Sequence, residues 1–192
     1  MSALLDVQDL SVTFHSPHGL VEAVRGVSFS LQAGEVLAIV GESGCGKSVL
    51  CKSIMKLLPE SAQIVGGRIL LKGTDITGYT EREMRRLRGR AFSMLFQDPM
   101  TALAPTMTIG RQIGEAVLVH RPRLPRAALR RRVAELLDLV GLDPAAARLC
   151  PYALSGGMRQ RSVLAVALAS EPSLLFADEP TTALDVTIQA QV

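Results

Sequence analysis

The eight residues from Gly41 to Ser48, Gly-Glu-Ser-Gly-Cys-Gly-Lys-Ser, fit the pattern G-x-x-x-x-G-K-[ST]. That spacing suits the holding of a phosphate. Gly41, Gly44 and Gly46 let the backbone wrap an anion without Cβ clashes. The loop's N–H groups and the start of the following helix then face that anion. Lys47 can reach the β- and γ-phosphates, and the Ser48 hydroxyl can ligate Mg²⁺. The candidate ligand-binding stretch is therefore Gly41, Glu42, Ser43, Gly44, Cys45, Gly46, Lys47, Ser48 and Val49. Cys45 stands at a helix N-terminus, which favours its thiolate. Alkylating it is expected to block nucleotide binding, and nucleotide is expected to protect it.

A second chemical feature lies far along the chain. The apolar run Leu174-Leu175-Phe176-Ala177 ends in Asp178-Glu179. A carboxylate at the C-terminal end of a buried strand can sit beside a phosphate loop and hold Mg²⁺, usually through water. Asp178 is expected to do so, and Glu179 to polarise an attacking water as a general base. An isolated Asp-Glu pair would read as a solvated turn. The preceding apolar run and the phosphate loop change that reading.

These residues need elements to position them. Val36-Leu37-Ala38-Ile39-Val40 is a short apolar run, expected as a buried parallel strand entering the loop. Residues 49–55 are expected to continue as a helix. Leu4 to Leu31 reads as short strands broken by the turn signal Ser16-Pro17-His18-Gly19, which predicts a small antiparallel sheet. Gly66 to Gly73 predicts another strand, Glu81 to Arg90 a polar, basic helix, and Ala91 to Phe96 a buried strand. A helical pattern runs from Ile109 to about Val140, broken by Pro122 and Pro125 and stopped at Gly141. Ser155 is placed to cap a further helix that runs to about Ala169.

Composition bounds the alternatives. The 192 residues, 48% of them hydrophobic, suffice for one substantial core. No apolar run approaches the ~18 residues of a membrane span. The first residues lack the basic start and apolar core of a signal peptide. Cys45, Cys51 and Cys150 lack metal-ligand spacing and fit a reducing compartment. The net charge of +3 is a weak pointer to nucleic acid, and only 4% aromatics argues against a base-stacking platform. Arg82, Arg85, Arg86, Arg88 and Arg90, with the arginines from Arg121 to Arg132, read instead as solvated helical faces near anionic lipid. No nucleic-acid partner is expected.

Leu154-Ser155-Gly156-Gly157-Met158-Arg159-Gln160-Arg161 fits L-S-G-G-x-x-Q-R. Together with Gly41 to Ser48, Gln97 and Leu174 to Pro180, the chain resembles an ABC-type ATPase subunit over essentially its whole length. The resemblance implies an α/β P-loop NTPase fold of the ABC ATPase type. Its mostly parallel core sheet would comprise residues 36–61, 91–98 and 170–192. An antiparallel β-subdomain would comprise 1–35 and 62–75, and an inserted helical subdomain 99–169. It also implies roles for residues. Ser155, Gly156 and Gly157 would form a second phosphate nest, serving the ATP held by another subunit's loop. Phe14 would stack on adenine. Gln97 would contact Mg²⁺ and water, and Ala183-Leu184-Asp185 would cross the dimer interface.

Phe96 to Leu103, Met107 to Gly110, Ala23 to Phe29 and Asp185 to Gln191 resemble oligopeptide and dipeptide importers in particular; nickel and glutathione importers share much of this pattern. The implied partners are a second ATPase subunit (identical or related), two transmembrane permease subunits and, indirectly, a substrate-binding protein. The implied place is the cytoplasmic face of a cell membrane, held peripherally. Two other readings are a non-transport ABC ATPase and a non-catalytic nucleotide-binding fragment. The family also uses a switch histidine beyond the acidic pair, whereas His15, His18 and His120 all precede it. The expectation is an incomplete core, with its C-terminal strands missing, and weak turnover by residues 1–192 alone.

Overall fold

The computed structural model describes residues 3–17, 19–96 and 102–178. The chain divides into two compact units, Met1–Arg88 and Gly89–Val192.

The first unit is built on a four-stranded antiparallel sheet. Strands β1 (Leu5–Ser16), β2 (Gly19–Leu31), β3 (Ala62–Leu71) and β4 (Thr74–Asp75) take the order β2-β1-β3-β4. Strands β1 and β2 pair antiparallel, with His15 opposite Leu20 and Phe14 opposite Val21. Leu5, Val7, Leu10, Val12 and Ile69 are buried. A register shift between Val12 and Thr13 accompanies the burial of both, neighbours in sequence though they are.

Helix α1 (Lys47–Ile54) follows the glycine loop and buries Leu50, Ser53 and Ile54. Helix α2 (Glu81–Leu87) opens with a capping box. Thr80 and Glu83 there satisfy each other's backbone N–H groups, the arrangement that T-x-x-E encodes. Hydrogen bonds from the Thr80 side chain and backbone hold the Glu83 carboxyl below its ordinary range.

The run Val36–Val40 departs from the expectation of a buried strand. It forms no strand, and Val36 and Val40 are 93% and 88% exposed. The physical reason is the absence of a ladder. A strand exists by pairing its N–H and C=O groups, and among the described residues none pairs with this run.

The second unit holds a parallel pair, β5 (Phe92–Leu95) and β6 (Leu174–Ala177), with Met94 opposite Phe176. The rings of Phe92 and Phe176 meet edge to face, 6.3 Å between centroids. Around the pair are α3 (Ile109–His120), α4 (Arg126–Leu139) and α5 (Gly156–Leu168), with two short 3₁₀ turns between the last two. Their apolar faces share one core that includes Ile109, Ile113, Leu136, Leu137 and Val163. Pro122 and Pro125 separate α3 from α4. Gly141, at φ +68°, ends α4 as its sequence position predicts.

Candidate functional site

The loop Gly41–Gly46 is exposed, and α1 begins where it ends. Gly46 is the N-cap, at φ +100° and ψ +3°, with no side chain to satisfy the first-turn N–H groups. Two constraints require glycine there. An L side chain is strained in that left-handed region. A Cβ would also lie 2.4 Å from the Ala23 carbonyl oxygen on β2. At Gly41 a Cβ would meet the Cys45 Sγ at 2.7 Å. The loop therefore closes on itself at one end and docks on β2 at the other.

Lys47 reaches back over the loop. Its Nζ donates to the carbonyl oxygens of Gly41 at 2.8 Å and Glu42 at 2.7 Å, and lies 3.7 Å from the Cys45 Sγ. An ammonium held at the mouth of a loop of exposed N–H groups provides a cationic concavity that fits a phosphate chain. Glu42, Ser43, Gly44, Ser48 and Val49 lie on the same loop and first turn. Phe14 sits half-buried on β1, in register between Val21 on β2 and Ala62 on β3.

In the second unit, Ser155 caps α5. Its Oγ accepts from the Met158 N–H at 3.3 Å, and Gly156 and Gly157 form the first turn. Gly157 is buried and Gly156 is exposed. Asp178 directly follows β6 and is buried, and its N–H donates to the Leu95 carbonyl at 3.0 Å. The parallel ladder thus extends to the acid itself. Gln97, Glu179 and Ala183-Leu184-Asp185 lie outside the described residues.

Two further residues also matter: Gln160, inside the L-S-G-G-x-x-Q-R stretch, and Arg88, expected on a solvated face. Gln160 on α5 is buried, and its Oε1 has no hydrogen-bond partner. Arg88 bonds the C-terminal end of α1, 33 and 32 positions away. No local pattern announces a contact of that range.

A glycine loop opening a helix, a parallel strand pair and packed helices define an α/β protein. The chain matches the ABC transporter family over residues 24–182 and belongs to it. It is similar to a dipeptide transport ATP-binding protein of Bacillus subtilis, 56% identical over 100% of this chain and 58% of that protein. An oligopeptide transport ATP-binding protein of Mycobacterium bovis is 53% identical over 100% of this chain and 32% of its own length. The chain thus spans between about a third and three-fifths of these relatives. Among solved structures, the dimeric ATP-binding cassette MJ0796 bound to ADP and Pi superposes with a TM-score of 0.86. It is 26% identical, over 97% of this chain and 78% of that one.

Proposed function

We propose that the chain is the ATP-binding and ATP-hydrolysing part of a dipeptide or oligopeptide importer. The observation that carries this reading is the uncapped start of α1 beneath the Lys47 ammonium. The dipeptide and oligopeptide transport for which the relatives are named supports the peptide substrate.

Lys47 and the N–H groups of residues 42–49 would bind the β- and γ-phosphates. Phe14 would stack on adenine. Ser48, with Gln97 and Asp178, would hold Mg²⁺, which supplies positive charge to the phosphate oxygens when bound. Glu179 would take a proton from the attacking water, with Gln97 orienting that water. Ser155, Gly156 and Gly157 would hold the γ-phosphate of ATP bound to the loop of a second chain, so that two chains complete two sites. The cassette dimer bound to ADP and Pi supports a paired arrangement.

The remaining partners are two permease subunits and, through them, a substrate-binding protein. The chain would work at the cytoplasmic face of the membrane. No helix among the described residues is long and apolar enough to cross it.

The test measures Mg-ATP binding and phosphate release separately for the wild-type chain and Lys47→Ala. The variant is expected to bind about 10–100-fold more weakly, the cost of a lost charge-assisted hydrogen bond. Equal affinity in the two proteins would overturn the reading.

A further inference from the structure

The loop Gly41–Gly46 runs directly into α1, so where that helix stands bears on where the loop stands. That helix is eight residues long, roughly 12 Å at 1.5 Å per residue. A lever this short passes movement at its C-terminal end directly to its N-terminal turn.

The C-terminal end of α1 closes in a Schellman turn. The N–H groups of Met55, Lys56 and Leu57 donate to the carbonyls of Cys51, Ser53 and Lys52. Lys56 stands at φ +51°, a left-handed position normally given to glycine. The carbonyls of Met55 and Lys56 turn to one guanidinium. Arg88 Nε donates to Met55 O at 3.0 Å, and Nη2 donates to Lys56 O at 2.8 Å. Its third nitrogen is not idle. Nη1 donates to Glu81 Oε1 at 2.7 Å, and the Arg88 side chain is only 20% exposed. That bond holds the Glu81 carboxyl below its ordinary range, so the arginine is pinned by a charged partner.

We infer that Arg88 is a positioning residue for nucleotide: its guanidinium closes the C-terminus of α1 and thereby fixes where the loop and Lys47 stand. Two effects act in the same direction. The paired hydrogen bonds fix the axis of α1. The positive charge complements the negative end of the helix dipole, whose positive end faces the phosphates. Gly46 against Ala23 O anchors one end of α1, and Arg88 anchors the other. The inference rests on the proposed reading of Gly41–Ser48 as a nucleotide loop.

Calorimetric titration of the full chain with Mg-ATP, and separately with inorganic tripolyphosphate, tests it. Calorimetry reports affinity and the fraction of competent molecules independently. Arg88→Ala is expected to weaken both probes alike, roughly 3–10-fold, with low-millimolar guanidinium restoring part of the loss. Arg88→Lys, which keeps the charge but cannot serve both carbonyls, is expected to lose about 2–3-fold. A purely structural role would lower the competent fraction and the melting temperature while leaving the affinity of competent molecules unchanged. That result overturns the inference. Should Arg88→Ala not fold, Arg88→Lys decides: affinity equal to wild type overturns it. If the wild-type chain binds neither probe, the nucleotide reading itself falls and takes this inference with it.

Discussion

Helices α1 and α5 both begin at the residues that would meet phosphate, yet they begin differently. Helix α1 starts from a left-handed glycine with no side-chain cap, and α5 from Ser155 in extended backbone, whose own hydroxyl takes the Met158 N–H. In the first, no N-cap side chain competes with a ligand. The second spends one donor internally and keeps a serine hydroxyl at the edge. An uncapped start suits a nest that holds a phosphate chain tightly. A capped start suits a surface that meets a phosphate only when two chains come together. Helix α2 is the reference case, where Thr80 and Glu83 satisfy each other's backbone N–H groups.

The largest expected effect sharpens the division of labour between the two starts. Glu179→Gln should lower phosphate release about 100–10,000-fold, the range for a lost general base, while ATP binding persists. Loss of binding together with turnover would move Glu179 from chemistry to structure.

A matched pair of glycine changes separates the starts next. Gly46→Ala forces a Cβ to 2.4 Å from Ala23 O at a positive φ. It should cost about 1–3 kcal/mol of unfolding free energy and lose nucleotide. Gly156 has open space around its Cβ position. Gly156→Ala should leave stability unchanged or raise it by up to about 1 kcal/mol. Chemical denaturation of both variants checks this, and equal losses would erase the distinction. Ser155→Ala should then cost about 0.5–2 kcal/mol in the same assay, the usual worth of an N-cap.

Much of this contrast was legible in the sequence. The G-x-x-x-x-G-K-[ST] spacing announced a glycine loop ahead of a helix, and Leu154 to Arg161 a serine at a helix start, and both are present. Ser155 and Gly141 announced a helix start and stop that the structure contains, because caps are local and act within a turn. Val36–Val40 was misleading for the opposite reason. An apolar run records what a segment would bury, but a strand also needs a partner, and hydrophobicity carries no information on pairing. The Arg88 clamp was illegible because its partners at Met55 and Lys56 are remote in the chain. The polar, basic helix expected from Glu81 is present, and the capping box of Thr80 and Glu83 marks where it begins.

The smallest expected effect concerns that third start. The carboxyl of Glu83 titrates lower in the folded chain than its ordinary 4.5. Its contribution is therefore fully present above that value and is lost as pH falls through the lowered folded one. Urea midpoints measured from neutral pH downward should fall less for Glu83→Gln than for wild type. Identical acid limbs would remove the capping box from the account of stability.

The shared site is tested most directly by mixing two crippled chains, Lys47→Ala and Ser155→Arg, in the presence of Mg-ATP. If the loop of one chain works with the Ser155 start of the other, a mixed pair keeps one intact site. The account predicts a Mg-ATP-dependent dimer in the mixture, read by sedimentation, that neither variant forms alone. No gain of dimer in the mixture, with the wild-type chain dimerising on Mg-ATP, would contradict it.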